Sequence, residues 1–278
     1  MASLVPTTVV QRRPTSVPHR RSMFVAEGAQ PRQRAFVRGR WSRSTPTGSR
    51  CSTPITIIRV PSLAEDFMLL VLDDESGRPV IDSVSLDHAL AGAVLLELVN
   101  SGRVSPAGAD DEDVKEGRLL VRDDSATGDA VLDDGLSRLE KKPVSAKRAV
   151  ELLVKGTRVA VLGQLSTRGL ITTEKSKVLG VFPRKSWPAL DTEHEGRIRE
   201  RLNAVLLRGE QADPHISSLV VLLSAIRAVH KIVEGDKSAL KARAKEVAEG
   251  DFAGPAVKKA IASVHAATAN VVVVSGGS

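Results

Sequence analysis

From position 62 onward the apolar residues recur at helical spacing, in blocks separated by short polar or glycine-bearing breaks. In "SLAEDFMLLVL" Ser62 stands three residues before Glu65, the spacing at which each side chain satisfies the other's free backbone amide, and the apolar run Phe67 to Leu72 follows. "DDESGR" ends that helix. "SLDHALAGAVLLELVNSG" predicts the next one, with Ser85 placed to cap it and Gly102 suited to a left-handed exit. Its small residues Ala89, Ala91, Gly92 and Ala93 leave room for a neighbouring helix to approach closely. "GRLLVRD" (117 to 123) reads as a short strand, and Asp129 is placed to cap a helix that ends in lysines.

Residues 145 to 169 predict one broken helix or two helices joined at Gly156. The following stretch, "ITTEKSKVLGVFPRKSWP", reads as a short strand, a charged turn and an apolar strand from Val178 to Phe182, with a basic exit bounded by proline. The rest is helical: "TEHEGRIRERLNAVLLRG", then "DPHISSLVVLLSAIRAVHKIV" with Pro214 in the first turn behind Asp213, then "KSALKARAKEVAEG". A β-branched "VVVV" lies near the C-terminus, and no repeat of fixed period is present. The sum is a mainly α fold: a single globular helical domain with one or two small β-hairpins.

Charge divides the chain differently from hydropathy. Residues 1 to 54 hold ten arginines, no lysine and one acid, Glu27, and so carry +9; the formal total is +7, which leaves the remainder at −2. That segment is rich in Ser, Thr, Pro and Gly and has no sustained hydrophobic period, so residues 1–54 are expected to be disordered and residues 55–278 to form the helical domain. The segment also has the composition of a transit leader. The single cysteine, Cys51, excludes an internal disulfide and fits a reducing, cytoplasmic setting. The most apolar long segment, 217 to 233, carries Arg227, His230 and Lys231 and falls short of the roughly 20 apolar residues of a membrane span, so any membrane contact is peripheral.

Catalytic patterns are missing. The six histidines (His19, His88, His194, His215, His230, His265) do not fall at metal-ligand spacing, no nucleophile elbow or phosphate loop is complete, and the acidic runs at 73 to 76 and 110 to 113 read as solvated loops. The expectation is a protein that is not an enzyme, with no catalytic residues, metal or cofactor. The helix, Gly169 and hairpin sequence has the skeleton of a winged helix, which makes a DNA-binding protein one alternative. The apolar "RVAVLGQLSTRG" and the acidic balance of the folded part argue against nucleic acid as a partner.

Five segments in order, "AEDFMLLVLDDESGR", "LAGAVLLEL", "SATGDAVLDDGL", "RGLITTEKSKVLGVFP" and "DPHISSLVVLL", resemble the Golgi phosphoprotein 3 family in its shorter, bacterial-type form, over about residues 62 to 270. The resemblance implies a peripheral membrane protein on the cytosolic face that binds phosphatidylinositol 4-phosphate. Further implied partners are protein cargo such as glycosyltransferase tails and a second copy of the chain, as a homo-oligomer. Of the family's headgroup pocket, one basic pair falls on Lys155 and Arg158. The tryptophan and arginine of the other half fall at about Asp82 and Ala91, which do not keep that chemistry. Lys155 and Arg158 share a helix face only where the helix runs through Gly156. The family's hairpin implies membrane contact or self-association through Lys175, Lys177, Leu179, Val181, Phe182, Arg184 and Lys185. A phosphomonoester headgroup suits an arginine fork and a lysine, and each basic residue near an anionic leaflet adds roughly 1 kcal/mol. The reading that follows is binding of anionic, phosphoinositide-like phospholipid at a membrane surface. A second alternative is a protein–protein adaptor with no lipid role.

Overall fold

The computed structural model describes residues 61–178, 182–190, 192–250 and 262–269. Over them the chain is mainly helical with two small antiparallel hairpins, as the pattern predicts. The expected disorder of residues 1–54 and the "VVVV" run lie outside the described residues.

Helix α1, Leu63–Val71, begins with the predicted capping box: the Ser62 hydroxyl accepts from the Glu65 amide, and the Glu65 carboxylate accepts from the Ser62 amide at 2.8 Å. All nine of its residues are buried, two acids included. Helix α2, Ser83–Asn100, starts earlier than expected. Asp82, not Ser85, is the cap, its carboxylate accepting from the amides of Val84 and Ser85 at 3.0 and 2.9 Å. An ionised carboxylate that takes two amides at once outcompetes a hydroxyl three residues later.

From Ala89 to Leu96 every residue of α2 is buried, so this helix is apolar all round and is the centre of the core. It packs against α1, α3 (Ala130–Leu139), α4 (Ala146–Thr167) and α6 (Pro214–Ala225). The small-residue stretch works as predicted: a Cβ on Gly92 would lie 3.0 Å from Leu222 of α6 and 3.1 Å from Thr268 in the helical stretch 262–269.

Strands β1, Val104–Pro106, and β2, Leu119–Val121, pair antiparallel between α2 and α3. Helix α4 breaks where the sequence places Gly156. Lys155 has ψ 113° and Gly156 has φ 85°, so the helix is two segments on either side of a kink. The kink leaves carbonyls without helical partners, and Arg138 of α3 donates to two of them, Lys155 O at 2.6 Å and Leu152 O at 3.2 Å.

The second hairpin differs in register from the sequence reading. Strands β3, Glu174–Val178, and β4, Phe182–Ser186, pair with Val178 opposite Phe182 and Glu174 opposite Ser186. The charged residues 174 to 177 are therefore strand, and the apolar run is divided between two strands. In the sequence Gly180, the residue type that hairpin connections favour, stands midway in that run.

Helix α5 spans Thr192–Leu207. Helix α6 follows Asp213, which caps it ahead of Pro214, but it stops at Ala225, so the predicted run to 233 is broken. Arg227 adopts φ 56°, and a short helix α7, Val229–Ile232, follows. Burial of Ala228 and Val229 on the core accounts for this break, which neither glycine nor proline announces. Helix α8 is Lys237–Glu249, capped by Asp236.

Candidate functional site

The connection between α1 and α2, residues 72–82, is a compact loop. The Asp73 amide donates to Arg78 O at 2.8 Å, the Gly77 amide to Asp73 O at 2.7 Å, and Leu72 bridges Pro79. Ser76, through hydroxyl and amide, holds the exposed Asp73 carboxyl below the usual carboxylate range.

The base of the second hairpin rests on this loop. The Trp187 amide donates to Gly77 O at 2.7 Å, and a Cβ on Gly77 would lie 2.6 Å from the Pro188 nitrogen. Gly77, at φ 60°, is therefore required twice over, by its left-handed backbone and by the close approach. The hairpin's two legs are tied below the strands by Thr172 N to Pro188 O, 3.0 Å, and Leu190 N to Leu170 O, 2.9 Å.

At its other end the loop runs into the first turns of α2, which Arg158 of α4 contacts. Arg158 lies in the first turn beyond Gly156. Its Nε and one terminal nitrogen donate to both carboxylate oxygens of Asp87 on α2, at 2.6 and 2.5 Å, and the same terminal nitrogen reaches Ser83 O at 3.3 Å. Lys155 is exposed and forms no salt bridge among the described residues. The two predicted headgroup residues thus sit on opposite sides of a helix break, one engaged with a carboxylate and the other open to solvent. Lys231 of α7 donates to Val80 O at 3.1 Å and so puts a cation on the loop itself. Sequence reasoning missed it because 151 residues separate the partners.

Only five residues of chain lie between Gly77, under the hairpin base, and Ser83, which Arg158 contacts, so those two residues are at most about 22 Å apart. Val84 and Val159, the chain neighbours of Ser83 and Arg158, are 46% and 76% exposed and put apolar surface beside the cations. Asp82 is committed to its cap, and Ser85 holds its carboxyl below the usual range; Ala91 is fully buried in α2. Burial closes off Ala91, while Asp82, exposed, places a carboxylate and not a cation at that position. For Lys175, Lys177, Leu179, Val181, Phe182, Arg184 and Lys185 the described structure is the backbone of β3 and β4 alone; positions 179 and 181 fall outside it.

The "TGDAVLDD" segment is architecture. Asp129, wholly buried, caps α3 through the amides of Val131 and Leu132 and accepts from Gln164 of α4 at 2.9 Å, while the Thr127 hydroxyl donates to Asp133 at 2.7 Å. Two histidines also have partners the sequence did not reveal. His194 of α5 and His215 of α6 each place Nε2 2.8 Å from a different oxygen of the buried Asp66. No group of side chains suited to a metal ion occurs among the described residues.

The α4 segment beyond the kink does not suit duplex DNA. Its exposed positions are Val159, Ala160, Gly163, Ser166 and Thr167, while Arg158 and the following Arg168 are salt-bridged to Asp87 and Glu65. No described helix is long and apolar enough to cross a membrane.

Residues 63–264 match the family model described as Golgi phosphoprotein 3 (GPP34). The chain belongs to the Golgi phosphoprotein 3 family. Among curated proteins it is similar to vacuolar protein sorting-associated protein 74 of Eremothecium gossypii, with 26% identity over 165 residues, 52% of this chain and 49% of that protein. The chain thus matches about half the length of that relative. The family match runs from the first residue of α1 into the helical stretch 262–269 and so takes in the loop, the kink and the hairpin together.

Proposed function

We propose that this Golgi phosphoprotein 3 family member is a non-enzymatic, peripheral membrane protein that binds anionic phospholipid. The ligand is phosphatidylinositol 4-phosphate or a related phosphomonoester headgroup, held through Lys155 and Arg158 with the basic and apolar hairpin beside them. The observation that carries the reading is the 72–82 loop, one end of which supports the hairpin base while the other adjoins the Arg158 turn. A membrane meeting one of these elements lies within reach of the other. The exposed valines 84 and 159 suit shallow contact with the leaflet, and a guanidinium with an ammonium suits a dianionic phosphate. The basic side chains of the hairpin and the ten arginines of residues 1–54 add attraction of roughly 1 kcal/mol for each group near the surface. Location on the cytosolic face of a membrane, self-association through the hairpin and recruitment of protein cargo belong to the same proposal and rest on family membership.

The test is co-sedimentation of the full chain with phosphatidylcholine vesicles, plain or carrying phosphatidylinositol 4-phosphate. Binding to the phosphoinositide vesicles is expected, and Lys155→Ala with Arg158→Ala should weaken it about tenfold. Equal failure to sediment with every anionic vesicle would refute the proposal.

A further inference from the structure

The guanidinium that the proposed function relies on is already occupied. Asp87 takes Nε and one terminal nitrogen of Arg158 in a two-point contact, the same side-on fork with which an arginine grips a phosphate. Ser83 O takes a further bond from that terminal nitrogen. Both side chains are about three-quarters withdrawn from solvent, at 27% and 26% exposure, so the pair is screened less than a surface salt bridge. With its charge balanced by Asp87, Arg158 has only its other terminal nitrogen left for an approaching anion, and of the predicted pair Lys155 alone presents an unbalanced charge.

Resting on the lipid-binding reading, we infer that Asp87 is a resident carboxylate latch on Arg158, which sets the affinity and the charge class of the headgroup the site accepts. A ligand reaches the fork only in the fraction of molecules in which the latch is open, and its apparent affinity falls by that fraction. A phosphodiester, with one negative charge, offers the guanidinium no more than Asp87 already supplies. A phosphomonoester approaches two charges near neutral pH and so exceeds the carboxylate it replaces. Asp87 acts through Arg158 and is a positioning residue.

The experiment measures vesicle binding by the full chain carrying Asp87→Asn, Asp87→Glu, Arg158→Ala, and Asp87→Asn with Arg158→Ala. The vesicles carry phosphatidylinositol 4-phosphate, or phosphatidylserine at matched charge, and inorganic phosphate serves as a soluble competitor. Asp87→Asn should bind the phosphoinositide vesicles about tenfold more tightly, Asp87→Glu should stay near the unsubstituted protein, and the gain should vanish in the Arg158→Ala background. Competition by inorganic phosphate as strong as by the vesicles would assign the fork to free phosphate; weak competition assigns it to the lipid headgroup. Unfolding midpoints of each variant identify any loss of fold. If the unsubstituted chain binds and Asp87→Asn does not exceed it, the latch is refuted and the lipid reading stands. A gain that persists without Arg158 also refutes the latch, because it reports only the removal of bulk negative charge. If no variant sediments with any anionic vesicle, the latch and the lipid reading fall together.

Discussion

Gly77→Ala provides a direct test of how the hairpin is held. At this position a Cβ would lie 2.6 Å from Pro188 N, 2.7 Å from Trp187 N and 2.8 Å from Trp187 C. All three are backbone atoms, so no side chain can swing aside to make room. Comfortable contact between carbon-sized atoms begins at about 3.5 Å, so the hairpin base must retreat by roughly 0.8 Å. That movement acts directly on the 2.7 Å hydrogen bond from the Trp187 amide to Gly77 O. Three costs add: roughly 1–2 kcal/mol for an L-residue in left-handed backbone, about 1 kcal/mol for the lost hydrogen bond, and a further 1–2 kcal/mol for packing strain.

Gly102→Ala isolates the first cost. Gly102, beyond the end of α2, has φ 73° and nothing within 4 Å of its would-be Cβ. Urea unfolding should therefore give a loss of about 1–2 kcal/mol for Gly102→Ala and about 3–5 kcal/mol for Gly77→Ala. Hydrogen exchange should report the same difference locally, with faster exchange at the amides of Trp187, Thr172 and Leu190 in Gly77→Ala alone. Equal losses for the two variants, with unchanged protection at Trp187, would refute the claim that the 72–82 loop bears the hairpin.

Two further tests concern ionisable groups withdrawn from solvent. Glu65 is 2% exposed and paired with Arg168 at 2.7 Å, so Arg168→Ala strands a buried carboxylate and should cost about 2–4 kcal/mol in urea unfolding; adding Glu65→Gln should recover at least half, and no recovery would refute the pairing argument. His265, half-buried in the stretch 262–269, has its pKa pushed below the ordinary value of 6.5 by burial. The folded state then binds protons less readily than the unfolded chain, so the contribution is complete above that value and is lost as pH falls through it toward the folded pKa. His265→Gln should flatten stability over that window, and an unchanged pH slope would refute the assignment.

What the sequence disclosed, and what it hid, follows from the range over which each interaction acts. The caps at Ser62, Asp129 and Asp213 were legible because cap and amide are two or three residues apart, and the helix break at Gly156 because glycine tolerates the conformation a kink needs. Where two local signals competed, pattern alone was insufficient: Asp82 and Ser85 both suit a cap, and an apolar run divided by a glycine serves equally as one strand or as two strand ends. The stop at Arg227 carries no local signal, since core contacts of the residues after it decide it. The site divides the same way. Lys155 and Arg158 could be found from spacing, but the Asp87 that closes on Arg158 lies 71 residues away, and the two histidines that meet on Asp66 come from separate helices. A basic residue read from sequence is therefore a donor whose partner is still unassigned. Here the fold gives Arg158 to a carboxylate and leaves Lys155 in solvent, so under the proposed lipid-binding function the two members of the pair contribute unequally, and removing Asp87 is the change that should make them alike.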